Sequence, residues 1–368
     1  MSGHVDAIGK DWCKIKLWYN GNFEEEKADI PDHLEAVVRA LESLKKKQVI
    51  ESYTEIKAVG HRVVHGGEKY RQPTIIDEKV IEKIKELSEL APLHNPPNLE
   101  GILACRKILP HTPQIAVFDT AFHQTIPKHA FLYGIPYEFY VKYKIRKYGF
   151  HGISHKYISK QAAKLLHKKE EKCEMISCHL GNGSSITAIR DGKSVDTTMG
   201  FTPLDGILMG TRSGGMDPNI PLYLLKKKHY TVHEMEQVLN NRSGLIGITG
   251  KSDLREVRKM QLEGNEKAKL ALKMLAYRIS FYIGAYSTII RDKLDCIVFT
   301  GGIGENAWYV REDILDSLRS IGIRYDKEKN KNNEIEVSTP ESSAKVFIIP
   351  TNEEVEIAGE AYSIIESL

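Results

Sequence analysis

No window of this 368-residue chain reaches the roughly 18 uncharged apolar residues that a membrane-spanning helix needs. The nearest approach, Leu270 to Ile290, is broken by Lys273 and Arg278, and the opening MSGHVDAIGKDWCK has no apolar signal-like core. A membrane partner is therefore not expected. Charge of one sign is also scarce: 52 Lys and Arg against 49 Asp and Glu leave +3, spread along the chain. No basic face is set aside for nucleic acid or anionic lipid. Cysteine is sparse, with Cys13, Cys105, Cys173, Cys178 and Cys296 widely separated and no C-x-x-C pair. That excludes a zinc knuckle or dithiol redox motif and leads us to expect reduced thiols in a cytoplasmic protein. Short repeats and low-complexity tracts are missing too, which argues against a fibre or a disordered chain. What remains is an ordinary globular composition, 41% hydrophobic with 28 glycines, long enough for about two domains and a large core.

Strand-like and helix-like segments alternate, an α/β pattern. Short β-like runs fall at Cys13–Tyr19, Ile56–Val64 and Gln114–Phe118, and apolar residues recur every three or four positions in Asp32–Lys47 and Asp77–Leu90. Further on, strands are expected at Met175–Cys178, Ser185–Arg190, Cys296–Thr300 and Lys345–Pro350. Helices are expected at 154–168, 266–290 and Glu353–Ser367. The polar, Lys/Asn/Glu-rich stretch Tyr325–Ser343 reads as a solvated connection.

Glycine-rich turns after apolar strands let backbone N–H groups approach phosphate with no Cβ in the way. Three such segments occur: Ser177–Ser185, Gly206–Gly215 and Ile297–Asn306. Together they suggest a phosphate cradle. The P-loop pattern is not met, because its first glycine would fall at Leu245, and Gly302–Ala307 lacks the βαβ setting of a dinucleotide fingerprint. His151 and His155 in HGISH have the spacing of a zinc helix but not its glutamate. The clustering of His61, His65, His94, His123, His151 and His179 beside Gly, Pro or Asp suggests an active cleft. Phosphoryl transfer needs cations, a metal-holding carboxylate and in-line positioning. Arg62 at a strand end and Arg212 in a glycine-rich loop can supply the cations. Asp119 and Glu353 follow apolar strands, where α/β folds place ligands.

The runs GHRVVHGGEKY (60–70), APLHNPPNLEGI (91–102), VFDTAFHQTIP (117–127), RKYGFHGISH (146–155), HLGNGSSITAI (179–189), MGTRSGGMDP (209–218), FTGGIGENA (299–307) and IPTNEE (349–354) resemble the acetate kinases, in order, from about residue 55 onward. The resemblance implies a two-domain actin-like ATPase (ribonuclease H-like) fold, with 1–119 and 354–368 in domain I and 120–353 in a nucleotide-binding, dimerising domain II. It implies a homodimer that transfers phosphoryl from ATP to acetate, with Mg²⁺ or Mn²⁺. It places Asp119, His151 and Arg212 in catalysis, and Arg62, Val64, Leu93 and Pro203 around the substrate. His179, Leu180, Gly181, Asn182 and Gly183 would meet the ATP phosphates, with Asp253, Leu254, Arg255, Gly302, Ile303, Gly304, Glu305 and Asn306 around the nucleotide and Glu353 on the metal.

The family's opening strand and Asn-x-Gly-Ser-Ser-Ser-x-Lys loop are not found in this sequence. The first hairpin of the domain I sheet is therefore expected to be missing, through a mis-called start or a truncated gene, leaving sheet backbone unpaired. Ile153 stands where the family usually has Thr, and Gly215 where Asp commonly follows TRSG. A propionate kinase and a nucleotide-binding remnant without turnover stay open as alternatives.

Overall fold

The computed structural model describes residues 1–290 and 293–367, and the chain separates into two compact units. Met1–Ala121 and the segment from Glu354 onward make the first, Phe122–Glu353 the second. Leu368, the last residue of the expected domain range 354–368, lies outside the described residues.

The first unit begins with an antiparallel meander of β1 (Ser2–Asp6), β2 (Lys14–Tyr19) and β3 (Asn22–Lys27). Asn20 and Gly21 both take positive φ, 48° and 77°, in the two-residue turn between β2 and β3, as a tight hairpin of this type requires. Alternation in KIKLWY sends Ile15 and Leu17 to a small core with Cys13, Ile30 and Ala36. Lys14 and Lys16 pair instead with Glu25 and Asp6, each at 2.6 Å. A second sheet has the order β4 (Val59–Val63), β6 (Gln114–Phe118), β5 (Thr74–Ile75), with β6 parallel to β4 and antiparallel to β5. Every residue of β6 is buried. Tyr70 stacks on Phe118 with ring centroids 4.6 Å apart, closing one face of the sheet with Val80, Ile84 and Ile102. The last helix, Glu353–Glu366, packs at Gly60, where a Cβ would sit 2.6 Å from the Ile357 side chain.

The second unit is built on a five-stranded sheet ordered β11 (Lys345–Ile348), β10 (Cys296–Thr300), β7 (Glu174–Leu180), β8 (Ser184–Arg190), β9 (Lys193–Thr197). The first three are parallel, and β8 pairs antiparallel with both β7 and β9. Both faces are covered, which is why β10 and β11 are almost continuously apolar and nearly every residue of β7 and β8 is buried. Ile176, Cys178, Leu180, Ile297 and Phe299 face the helix Glu266–Ser287, through Ala271, Leu275 and Ile279. The intervening Met175, Cys296 and Val298 face the helix Gly152–Leu165, through Ile158 and Ala162.

The stretch Tyr325–Ser343 is largely exposed, as its composition suggested, but it is not featureless. It holds a capped turn of helix, Lys327–Lys331, and pairs Tyr325 with Ser338 and Glu336 with Phe347 in isolated bridges. Val337 and Asn330 are buried. Arg311 draws the polar segment inward: its guanidinium donates five hydrogen bonds, three of them to Asn330 and Asn333.

Candidate functional site

In the first unit, parallel pairing of β4 and β6 sets Arg62 opposite Val117, one position before the strand end. Asp119 continues β6 by donating its backbone N–H to the Val63 carbonyl at 3.0 Å. The Arg62 guanidinium donates to one oxygen of Asp119, Oδ2, through Nη2 at 2.5 Å and Nε at 3.2 Å. The Asp119 side chain is almost without solvent exposure, while that of Arg62 is 42% exposed. The other carboxylate oxygen, Oδ1, is buried with no hydrogen-bond partner. An anionic acceptor left bare in a protein interior is costly unless a cation or water meets it. Among the described residues no group of three or more metal-ligating side chains occurs. A divalent cation held by one or two carboxylates and a substrate's own phosphates, as Mg²⁺ commonly is, needs no such group. Asp119 fits that arrangement.

The loop after β4 is held rigidly from beneath. Asn98 accepts from the Val64 N–H at 3.1 Å, and Asn95 accepts from the His65 N–H at 3.0 Å while donating back to the His65 carbonyl. Both asparagines lie in the first turn of the helix Asn95–Ile108. Thr120 accepts from the Gly66 N–H at 3.0 Å, and a Cβ at Gly66 would press 2.9 Å from the Phe118 ring. His65 Nδ1 accepts from the Gly67 N–H, and burial pushes its pKa down to about 4. It folds neutral, whereas in the unfolded chain it gains a proton below pH 6.5. Its contribution is complete above pH 6.5 and falls as pH drops toward 4, by up to about 3 kcal/mol. Urea denaturation at pH 7 and pH 5 should show a larger loss for the wild-type chain than for His65→Asn.

In the second unit, histidines and serines interlock at the ends of β7 and β8. His151 precedes the helix Gly152–Leu165 with φ 57° and shares a hydrogen bond from Nδ1 with Ser185 Oγ at 3.0 Å. Its ring stacks on His179, centroids 4.2 Å apart. His179 Nδ1 meets Ser154 Oγ at 2.8 Å, and Ser154 meets the Thr351 hydroxyl at 2.8 Å. His155, one turn along the helix, reaches Ser177 at 2.9 Å and Ser185 at 2.8 Å. The HGISH spacing thus builds a pair of imidazoles linked through Ser185. His123 joins the cluster edge-on to His155. His61 and His65 lie in the first unit, His61 bonded to Gln114 at 2.7 Å.

Gly183, in the turn between β7 and β8, sits where a Cβ would be 3.3 Å from His151 Nε2 and 3.5 Å from Arg212 Nη1. Arg212 comes from the loop Gly206–Gly215, which is fastened by backbone bonds from Met209 to Arg212, Gly215 to Gly206 and Ser243 to Thr211. Gly206 and Gly214 adopt positive φ there, 98° and 70°. Arg212 is half-buried, and its described partners are the Pro203 carbonyl at 3.4 Å and the Met209 sulfur at 3.9 Å. No described carboxylate pairs with it, and burial lowers its pKa, as expected for a cation short of an anion.

Beside this cluster, a cavity of ≈ 770 Å³ is lined by Gly181 and Asn182 from the β7–β8 turn, Gly210, Ser252–Arg255 and the short helix Gly301–Asn306 that follows β10. Leu245, Ala307 and Tyr309 complete the wall. All three glycine-rich segments read from the sequence border this space or Gly183. Asp253 caps the helix Leu254–Leu262 and is held by the Arg255 side chain at a pKa of about 2.

The Acetokinase family profile matches residues 1–359 of the chain. The chain belongs to the acetokinase family. It is 50% identical to the acetate kinase of Thermotoga maritima over 374 aligned positions, covering 100% of this chain and 93% of that one. Among solved structures it superposes on a Porphyromonas gingivalis acetate kinase with TM-score 0.92 at 42% identity, covering 99% and 92% of the two chains. A propionate kinase from Francisella tularensis gives 0.93 at 43% identity, covering 98% and 92%. The fold of this acetokinase is accordingly the α/β actin-like ATPase architecture that its motif blocks implied.

Of the residues the resemblance assigned to the nucleotide, Gly181, Asn182, Asp253, Leu254, Arg255, Gly302, Ile303 and Asn306 line the cavity. His179, Leu180, Gly183, Gly304 and Glu305 do not. Leu180 is packed in the core, and Gly304 gives its carbonyl to Arg311. Glu305 turns its carboxylate onto the backbone N–H groups of Gly301 and Thr351, bracing the loop that leads to Glu353. Pro203 lies against Arg212 in the second unit. Val64 is buried in the first, and Leu93 is 69% exposed. Sequence reasoning passed over Ser154, Ser177, Ser185 and Thr351, because an isolated serine or threonine carries no local signal. It also passed over the Asn95 and Asn98 supports, whose NPPN pattern with Pro in the first helical turn was the available cue.

Proposed function

We propose that this acetokinase transfers the γ-phosphoryl group of ATP to the carboxylate of acetate, giving acetyl phosphate and ADP in a reversible reaction. An acetate oxygen forms the new bond to phosphorus, the bond to the bridging oxygen of ADP breaks, and that oxygen keeps the electron pair. No proton has to move. The work is therefore positioning and charge neutralisation. The observation that carries the reading is Arg212: a half-buried guanidinium with no described carboxylate partner, beside Gly183 and His151, in a loop whose Gly210 lines the cavity of ≈ 770 Å³. In this reading Arg212 and His151 stabilise charge on the transferring phosphoryl, Arg62 binds the acetate carboxylate, and Val64, Leu93 and Pro203 contact its methyl group. ATP occupies the cavity, with its phosphates toward Gly181–Gly183. Mg²⁺, or Mn²⁺ in its place, would neutralise phosphate oxygens, and Asp119 and Glu353 are the carboxylates we assign to it.

The test is hydroxamate trapping of the acyl phosphate from ATP, Mg²⁺ and either acetate or propionate. Turnover with acetate is expected. Propionate is the second reading, favoured by the similarity to the Francisella tularensis enzyme. One methylene changes discrimination by only about 1–3 kcal/mol, so the ratio of kcat/KM values decides between the two. Thermal stabilisation by ATP without turnover on either acid would instead reveal a nucleotide-binding remnant.

We also assign a homodimer in the cytoplasm. Leu270, Met274, Tyr277 and Phe281 form an exposed apolar stripe along the helix Glu266–Ser287, which a second copy would cover. Light scattering should give twice the chain mass. The five cysteines are free and four are buried, which suits a reducing compartment.

A further inference from the structure

We propose that Ser177, His155 and Ser185 are positioning residues that fix the tautomer of His151, holding its ring proton on Nε2, the nitrogen that faces Gly183. Ser177 is completely buried in β7, and its one described side-chain hydrogen bond is with His155 Nδ1, at 2.9 Å. A buried hydroxyl places its proton on an acceptor when one is available, and here that acceptor is His155 Nδ1.

His155 is itself without solvent exposure, and burial together with the neighbouring His123 and His179 keeps it neutral. It has one proton to place. With Nδ1 accepting from Ser177, the proton is on Nε2, which donates to Ser185 Oγ at 2.8 Å. Ser185, also fully buried, then directs its own proton to its other partner, His151 Nδ1, at 3.0 Å. With Nδ1 occupied as an acceptor, neutral His151 carries its proton on Nε2. Running the chain backwards would leave the Ser177 proton without an acceptor. It would also present the Nε2 lone pair of neutral His151 toward Gly183 and Arg212, where a phosphoryl oxygen needs a donor.

The catalytic consequence rests on the assignment of His151 to the transferring phosphoryl, but the tautomer can be read without substrate. Long-range ¹H–¹⁵N correlation of the imidazoles in the full chain, with His151 assigned by difference from His151→Asn, distinguishes the two neutral forms. We expect the Nε2–H form in the wild-type chain and a mixture of tautomers in Ser185→Ala and Ser177→Ala. In His155→Gln a side-chain amide N–H replaces the donor to Ser185, so the Nε2–H form is expected to persist. Ser185→Ala should lower kcat about tenfold, the usual scale for loss of an orienting partner, with little change in KM for ATP or acetate. Should Ser185→Ala fail to fold, Ser177→Ala, which does not touch His151, gives the same readout. An Nδ1–H form in the wild-type chain, or an unchanged Nε2–H form in both serine variants, would overturn the relay. A shifted tautomer with unchanged kcat would support the relay and remove His151 from the transfer step.

Discussion

Alanine at Arg212 lowers kcat by about three orders of magnitude, the range seen when a charge-stabilising arginine is taken from a phosphoryl-transfer site, while the protein keeps its melting temperature. Both halves of this expectation come from the same geometry. Arg212 makes one long hydrogen bond to the Pro203 carbonyl and a contact to the Met209 sulfur, so the folded state depends little on it. Its loop is fastened through backbone bonds that alanine leaves intact, among them Met209 to the Arg212 carbonyl and Leu245 to the Met209 carbonyl. What disappears is a cation already partly stripped of water, aimed at the space beside Gly183 and His151. Because charge on the phosphoryl oxygens differs between ground and transition states, the loss should fall on kcat more than on KM for ATP. Arg212→Lys restores the charge but not the planar pair of donors, and recovers only part of the rate. Steady-state kinetics with a thermal melt check both halves. A large fall in melting temperature, or a loss confined to KM, would place Arg212 in the scaffold instead.

The second large effect is expected at Arg311. Its side chain is completely buried, yet all five of its hydrogen bonds go to neutral groups: the carbonyls of Gly304, Glu305 and Asn330, and the side-chain oxygens of Asn330 and Asn333. Burial lowers its pKa to about 10, so it stays charged at neutral pH. The carbonyls take the place of a counter-ion. Arg311→Met fills much of the space and leaves those acceptors without donors inside the protein. Several such losses at about 1–3 kcal/mol each give a cost of roughly 3–5 kcal/mol. In a unit of this size that corresponds to a drop of about 10 °C in melting temperature. The helix Gly301–Asn306 loses its anchor at the same time, and Gly302, Ile303 and Asn306 line the cavity we propose for ATP. KM for ATP should rise while KM for acetate changes little. Differential scanning calorimetry and initial-rate kinetics on the one variant read both effects. Unchanged stability would mean that the carbonyls find other donors.

The sequence made some of this visible and hid the rest, and the two cases differ in range. Gln114–Phe118 is legible as a strand because its residues form a short, mainly apolar run, and Val59–Val63 falls inside the β-like run Ile56–Val64, since the pleat needs only local pattern. The helix Glu266–Ser287 is legible for the same reason, although the apolar count ran it on to 290. The three glycine-rich segments were readable as close-approach sites from composition alone. The Tyr325–Ser343 stretch is largely exposed, as its polarity suggested, but polarity does not show which of its residues turn inward. The same Asn330 that looks solvated on paper is buried beneath a guanidinium that enters from the helix Trp308–Ser317.

The sequence by itself determined the family, through eight ordered motif blocks, and with it the kinds of groups available for the chemistry: two arginines, a histidine and two carboxylates. It also determined the strand and helix periodicities that bury one face or both. Only the tertiary structure decided which partner each group meets. Ser177, Ser185 and Thr351 reach the imidazoles of His155, His151 and, through Ser154, His179 across 22 to 197 residues of chain. One Asp119 oxygen is taken by Arg62, 57 residues away, and the other is left bare. The physical reason is that periodicity and turn chemistry act over a few residues. A hydrogen bond between distant positions depends on strand register and on depth within the fold, and both exist only once the chain has closed around its core.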